Sequence, residues 1–207
     1  MSIFGRQKGS GMVGGVDLGG TKIAAAVVGP GNEIAGSARR PTPTKGGPEN
    51  VTAEIAAVMS EAAEAAGLVT GDLAGVGVGA PGNADRQTGT LSGAGNLPGW
   101  SGEYPLGAEL QGLLGAPVVV GNDVQVGTMA EYRLGAGQGH GSLLGVFWGT
   151  GVGGGLILDG KPWLGRGRAG EIGHTLVRRG GAKAPHGLRG TVEAYAGRKA
   201  MEAKARR

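Results

Sequence analysis

The chain has 207 residues and a net charge of +4, with 48 glycines, 10 prolines and no cysteine, which excludes disulfides and thiolate metal sites. Its glycines lie between aliphatic runs and form no short repeat, which argues against a disordered chain. The first twelve residues lack the apolar stretch of a signal peptide, and no run is long enough to span a bilayer. We therefore expect a cytoplasmic protein with no membrane partner.

Positive charge is concentrated near the end of the chain. Residues 1–160 contain 8 Lys/Arg against 13 Asp/Glu, whereas residues 161–207 contain 12 against 3. A basic segment can bind nucleic acid, but here the basic residues are spread among glycines without interleaved aromatic residues. We expect no DNA partner, and interpret the charge as facing a phosphorylated ligand or a missing acidic segment.

Hydrophobic periodicity predicts an α/β chain in two parts. The first part reads as three strands within residues 12–38, a helix over 48–66, a strand over 73–78, a short helix over 106–114, a strand over 118–120 and a helix over 124–134. A second hairpin begins at residue 142, which indicates that the order of elements is repeated. Its predicted elements are strands at 143–148 and 152–158, a strand near 175–177 and a helix from 192. The predicted domains are a disordered segment 1–11, a first lobe 12–135 and a partial second lobe 136–207.

Two glycine-rich turns between strands are candidate phosphate sites: residues 17–22 (DLGGTK) and 149–155 (GTGVGGG). Glycine allows the backbone N–H groups of such a turn to surround an anion, and each turn adds a threonine hydroxyl. Asp17 could hold hydrated Mg²⁺. The second turn matches G-x-G-x-x-G but is followed by a strand, which argues against a dinucleotide fold. Either turn alone is also explained as an ordinary hairpin; together they favour a nucleotide polyphosphate held between two lobes.

Polar side chains in the loops that follow strands are candidates for binding a polyhydroxylated ligand. Asp123 follows a buried strand and precedes a helix, where a carboxylate meets a cleft, although it is equally placed to be a simple helix cap. Surface charge or structural hydrogen bonding would also account for several of the others. The full set is Asn96, Asn122, Asp123, Glu171, His174 and Glu193.

Six segments occur in an order that resembles the ROK family of bacterial sugar kinases and repressors. They are residues 17–22, 79–82 (GAPG), 96–100 (NLPGW), 122–123 (ND), 149–155 and 170–174 (GEIGH). The resemblance runs from about residue 13 to 198 and is strongest to the glucokinase branch. It implies an actin-like, ribonuclease-H-like fold of two lobes, the second of them incomplete here. The repressor branch has a DNA-binding domain ahead of the core, and twelve residues before the first strand leave no room for one.

The resemblance also implies ATP-dependent phosphorylation of a hexose, most simply glucose. Asp123 would be the general base, and the sugar would be held by Asn96, Asn122, Asp123, Glu171, His174 and Glu193. ATP and Mg²⁺ are the implied cofactors, with Asp17 holding the metal through water. The residues expected to contact the donor phosphates are Asp17, Gly19, Gly20, Thr21, Lys22, Gly149, Thr150 and Gly151. A strand position facing solvent is an equal explanation for Lys22.

Two departures from the family pattern bear on these expectations. Family members carry a zinc site with three cysteines, whose positions here hold Ala184, His186 and Thr191, so we expect no stoichiometric zinc. The family's chain also continues well beyond residue 207, so we expect weak nucleotide affinity, poor kinase activity and self-association. A catalytically impaired sugar-binding fragment and a sugar-responsive regulator are the alternatives. The choice of hexose, ATP against polyphosphate as donor, and a homodimer are left open.

Overall fold

The computed structural model describes residues 11–184 and 187–206, which form two compact units that divide between Asp123 and Val124. The strands are β1 Val13–Leu18, β2 Lys22–Val28, β3 Ile34–Pro41, β4 Val76–Ala80, β5 Asn83–Ala84, β6 Leu91–Ser92, β7 Glu103–Tyr104, β8 Val118–Asn122, β9 Leu143–Trp148, β10 Val152–Leu158 and β11 Lys161–Pro162. The α-helices are α1 Gly47–Ala65, α2 Leu106–Leu114, α3 Asp123–Leu134, α4 Val192–Ala196 and α5 Arg198–Ala205, with short 3-10 helices at Thr70–Asp72 and Ile172–His174.

The first unit contains a five-stranded sheet in the order β3-β2-β1-β4-β8. Strands β1, β2 and β3 form an antiparallel meander, while β4 and β8 run parallel to β1. The three parallel strands therefore bring their carboxyl ends to one edge of the sheet. In α/β sheets, that edge is where ligands bind.

The first unit holds the main hydrophobic core. Helix α1 packs on β2 and β3 and also contacts α2, which packs on β8. Val51, Ile55, Val58 and Met59, spaced three or four residues apart, place one fully buried face of α1 on the sheet. Gly36 lies directly under this helix, since a Cβ on it would overlap the carbonyl oxygen of Ala62.

The second unit is built on the antiparallel sheet β11-β10-β9. Helix α3 lies close to this sheet because glycines face it: a Cβ on Gly145 or on Gly155 would overlap the side chain of Thr128. The Thr128 hydroxyl is buried there and donates to the carbonyl oxygen of Val124 at 2.8 Å. The close packing of α3 on this sheet therefore requires glycine in β9 and β10.

The structure changes several of the predicted elements. The strand expected near 175–177 is wrong: Leu176 makes only an isolated bridge to Thr191, because the chain returns at once through the turn after Arg178. The single helix expected from residue 192 is broken at Gly197, whose φ of −61° and ψ of 145° are extended. The strand expected over 73–78 lies at Val76–Ala80, and the short hairpin strands β5, β6 and β7 were not predicted.

The domain boundary expected at residue 135 stays a prediction; the two compact units divide at Asp123, so most of α3 belongs with the second unit. The disorder expected over residues 1–11 concerns a segment that lies almost wholly outside the described residues. Within the part of the chain that the structure describes, no helix is long and apolar enough to cross a membrane.

Candidate active site

The carboxyl ends of the parallel strands bring together the predicted base and the predicted metal-binding carboxylate. Asp17 on β1 pairs in register with Gly79 on β4, and Gly79 pairs in turn with Gly121 on β8. A Cβ on Gly79 would lie 3.6 Å from the Cα of Asp123, so Asp123 lies close to the end of β4. Asp123 begins α3 directly after β8 and is partly buried. Asp17, whose strand position is exposed, and Asp123 thus lie on the same edge of the sheet.

The first glycine-rich turn is fixed at its base and exposed at its tip. The Gly19 N–H donates to the Lys22 carbonyl at 2.9 Å, and the Thr42 hydroxyl donates to the Gly19 carbonyl at 2.6 Å. Gly20 and Thr21 are exposed, and no hydrogen bond of their N–H groups is found among the described residues. Two N–H donors are therefore available to an anion on a rigid support.

Asn96 lies beside this turn, although it is 76 residues away in sequence. A Cβ on Gly20 would stand 3.2 Å from both the side-chain nitrogen and the carbonyl oxygen of Asn96. The loop is anchored by buried Leu97 and by Trp100, whose indole N–H donates to the Leu91 carbonyl at 3.4 Å. The structure thus brings a predicted sugar-binding amide next to a predicted phosphate-binding turn.

The Asn122 side chain supports the neighbouring loop. Its amide nitrogen donates to the carbonyl oxygen of Gly82 at 3.0 Å, and Gly82 has a φ of 93°. A Cβ on Gly82 would overlap the Ser92 carbonyl oxygen, so both the φ and the space require glycine there. Asn122 therefore orders the segment of the GAPG motif that follows β4.

The second glycine-rich turn joins β9 to β10 in the second unit. Within the turn, the Gly149 N–H donates to the Gly151 carbonyl at 2.9 Å. The described residues include no acceptor for the N–H groups of Thr150 and Gly151, so this turn also has two available donors. Helix α5 begins beside it: the Arg198 N–H donates to the Gly149 carbonyl at 3.1 Å.

Glu193 lies against this turn. Its Oε2 accepts from the Val152 N–H at 2.8 Å, and a Cβ on Gly151 would overlap the same carboxylate. Gly151 is therefore required for the close approach of Glu193. A residue predicted to bind sugar is thus held by the backbone of a predicted phosphate-binding turn.

Glu171 and His174 form a more exposed pair. Glu171 precedes the 3-10 helix that contains His174, and its Oε2 lies 3.8 Å from the His174 Nε2. This helix packs against β10, since a Cβ on the intervening Gly173 would overlap the Val152 carbonyl. The backbone between Glu171 and His174 is therefore closely packed, while both side chains are exposed.

The positions at which the family has zinc-binding cysteines are only partly described. Ala184 and Thr191 are buried, and the Thr191 hydroxyl accepts from the Ala194 N–H at 3.3 Å as the cap of α4. His186 lies outside the described residues. No group of three or more acidic or histidine side chains among residues 11–184 and 187–206 is arranged to hold a metal ion.

Arg198 is a candidate phosphate contact that was not predicted from the sequence. Its guanidinium Nη2 donates to the Thr150 hydroxyl at 3.2 Å, across 48 residues of sequence. The concentration of basic residues after residue 160 indicated a phosphorylated ligand in general, but no local pattern singles out this arginine.

Comparison with known proteins decides the family, because the ROK family matches residues 13–207. The chain belongs to the ROK family. The glucokinase of Streptomyces coelicolor is 38% identical over 92% of this chain, and that of Halalkalibacterium halodurans is 37% identical over 88%. An N-acetyl-D-glucosamine kinase of Escherichia coli is 38% identical over 77%.

Solved ROK structures share the fold. The Streptomyces griseus glucokinase, in complex with glucose and AMPPNP, matches with a TM-score of 0.81 and 37% identity over 94% of this chain. The ROK hexokinase of Thermus thermophilus matches with a TM-score of 0.79 and 37% identity. The predicted actin-like α/β fold is confirmed by these ROK structures, of which the chain covers 60% and 63%, in agreement with an incomplete second lobe. It likewise spans 58% and 55% of the two glucokinase sequences.

Proposed function

We propose that this ROK chain carries the phosphate-binding and sugar-binding parts of an ATP-dependent hexose kinase, with glucose as the substrate and glucose 6-phosphate as the product. The observation that carries the proposal is the placement of Asp17, Gly79 and Asp123 at the carboxyl edge of one sheet, with Asn96 beside the Gly20 turn. Relatives that are named glucokinases and a relative that binds glucose with AMPPNP support the choice of sugar and donor.

In this proposal the sugar's exocyclic hydroxyl oxygen attacks the γ-phosphorus of ATP. The new O–P bond forms as the bond from the γ-phosphorus to the β–γ bridging oxygen breaks, and ADP leaves. The hydroxyl proton passes to the Asp123 carboxylate. Such transition states are loose, so a carboxylate of ordinary basicity is sufficient when the reacting groups are well positioned.

The two turns would hold the donor phosphates. The available N–H groups of Gly20 and Thr21 in the first unit, and of Thr150 and Gly151 in the second, are suited to phosphate oxygens. Lys22, exposed at the start of β2, would add charge. Asn96, Asn122, Glu171, His174 and Glu193 would hold the sugar hydroxyls.

Mg²⁺ fits the same arrangement. A magnesium ion is commonly held by one or two carboxylates together with substrate phosphates, and Asp17 supplies one carboxylate next to the first turn. Asp17 is exposed, so its carboxylate is accessible to a hydrated ion. The metal would neutralise charge on the transferring phosphoryl group.

Replacing Asp123 by asparagine tests the proposed base. Asp123→Asn preserves the size of the side chain but removes the charged group that accepts the proton, so we expect sugar binding to stay close to wild type while turnover falls on the order of 10²–10⁴-fold. Glucose binding by calorimetry and phosphoryl transfer by product formation give the two quantities separately. Asp159→Asn is the matched control, because Asp159 is exposed at a turn with a φ of 48° that asparagine also adopts.

Turnover of Asp123→Asn within a few fold of wild type would remove Asp123 from the base role. A second candidate, sugar binding without catalysis, is favoured by the small core of the second unit, in which Ile157 is the one large, fully buried side chain among the described residues. Glucose binding by the wild-type chain with no transfer from ATP would select that alternative.

A further inference from the structure

The second phosphate turn is bordered by a pocket within its own unit that contains both cationic and acidic side chains. The pocket has a volume of about 470 Å³, and its lining includes Thr150, Lys183, Glu193, Gly197 and Lys199. Two of these residues are cations, and Arg198 lies between Gly197 and Lys199 at the start of α5. Three cations therefore lie near the turn, together with the Glu193 carboxylate.

Arg198 contacts the turn twice. Its backbone N–H donates to the Gly149 carbonyl at 3.1 Å, and its Nη2 donates to the Thr150 hydroxyl at 3.2 Å. Close approach is possible because Gly197 has no side chain: a Cβ there would already lie 3.3 Å from the Thr150 carbonyl. The extended Gly197 that separates α4 from α5 thus brings the arginine to the turn.

The direction of the side-chain hydrogen bond has a chemical consequence. A guanidinium has donors and no acceptor, so the Thr150 oxygen must accept, and its own hydrogen remains available to donate elsewhere. The arginine side chain is 61% exposed and still carries further N–H donors, one of which faces Glu202 at 3.8 Å. Arg198 therefore orients one phosphate donor and contributes a charge of its own.

We infer that Arg198 is a positioning residue for the donor phosphates, acting through the Thr150 hydroxyl and through its charge. This inference rests on the proposed function, in which the turn Gly149–Gly151 binds the donor phosphates. Charge-assisted hydrogen bonds to phosphate are among the stronger polar contacts, and arginine suits them through its several donors. Arg198 would act on the polyphosphate part of the donor, so its effect should not depend on the nucleotide base.

The test compares Arg198→Met, Arg198→Lys and a control, Arg206→Gln, in the 207-residue chain. Arg206 caps the other end of α5, so the control removes the same charge away from the turn. Calorimetry measures the dissociation constants of ATP, inorganic tripolyphosphate, adenosine and glucose. We expect Arg198→Met to weaken ATP and tripolyphosphate about 10-fold, with adenosine and glucose unchanged. Arg198→Lys should recover part of the loss, and Arg206→Gln should bind all four ligands as wild type does.

A double-mutant cycle with Thr150→Val tests whether Arg198 affects tripolyphosphate affinity through the Thr150 hydroxyl. If Arg198 acts through Thr150, the loss in tripolyphosphate affinity for the double variant is smaller than the product of the two single losses. Fully multiplicative losses would overturn the action through Thr150.

The outcomes separate this inference from the proposed function. Wild-type affinity for tripolyphosphate in Arg198→Met, or an equal loss in Arg206→Gln, would overturn the inference and leave the kinase proposal intact. A loss of glucose affinity in Arg198→Met equal to the loss of ATP affinity would show a purely structural role. A wild-type chain that binds neither ATP nor tripolyphosphate would contradict both proposals.

Discussion

At the scale of single residues, Glu193 links the proposed sugar site to the proposed phosphate-binding turn. Resemblance to the family assigns it to the sugar, yet its Oε2 accepts from the Val152 N–H in the turn that is proposed to bind phosphate. A charged acceptor with a backbone donor is a strong hydrogen bond, so the orientation of the carboxylate depends on the conformation of the turn. If Glu193 binds the sugar as proposed, Gly151 affects sugar binding as well as phosphate binding.

Substituting Gly151 by alanine tests that coupling. The new Cβ would overlap the Glu193 carboxylate, which is the end of a flexible side chain and would be displaced from the Val152 N–H. We expect Gly151→Ala to weaken glucose binding about 10-fold, as for the loss of a hydrogen bond to a charged group, with little change in melting temperature. Gly149→Ala is the matched control, because a Cβ on Gly149 meets nothing within 4 Å. Equal glucose affinity in both variants would show that the position of Glu193 is independent of Gly151.

Residue roles were only partly predictable from the sequence. The pairing of Asp17 with the end of β4 follows from the parallel strands, whose carboxyl ends share an edge. The contacts Asn96–Gly20 and Arg198–Thr150 join residues 76 and 48 positions apart, and no local spacing encodes them. Such contacts are set by how loops fold back, which a single sequence does not specify.

Individual elements were predicted best where one face is strongly apolar. Helix α1 was expected over 48–66 and lies at Gly47–Ala65, because Val51, Ile55, Val58 and Met59 repeat at helical spacing. Strands β5, β6 and β7 have two residues each, too few to show any periodicity. The break at Gly197 was missed because helix-favouring residues flank it on both sides.

The packing of α1 on β3 yields a prediction at this scale. A Cβ on Gly36 would overlap the Ala62 carbonyl and stand 2.6 Å from the Ala66 nitrogen, both of them backbone atoms that cannot rotate away. We expect Gly36→Ala to lower the free energy of unfolding by about 1–3 kcal/mol through overpacking. Gly15→Ala in β1 is the control, because nothing lies within 4 Å of its added Cβ, and it should stay within about 0.5 kcal/mol of wild type.

Urea unfolding followed by circular dichroism measures both variants. A loss in Gly36→Ala no greater than that in Gly15→Ala would mean that α1 is not seated on β3 as described.

Across the whole molecule, apolar burial is uneven. The large fully buried side chains, such as Leu18, Ile55 and Leu106, belong to the first unit, and among the described residues of the second unit only Ile157 is comparable. Strand β9 leaves Leu144 50% and Trp148 62% exposed. Exposed apolar strand surface promotes self-association. The second unit, which carries the turn over residues 149–155, is therefore the less stabilised of the two, and the weak nucleotide affinity expected of this chain stays a prediction.

The most direct measurement is the transfer of the γ-phosphoryl group of ATP to glucose, with identification of the product, by the 207-residue chain and by a version extended to a full second lobe. We expect glucose 6-phosphate from both proteins, with much slower formation by the 207-residue chain because its second unit has little core. Equally rapid formation of glucose 6-phosphate by both proteins would contradict the claim that the small core of the second unit limits activity. Glucose binding without any sugar phosphate from the extended version would contradict the proposed kinase function itself.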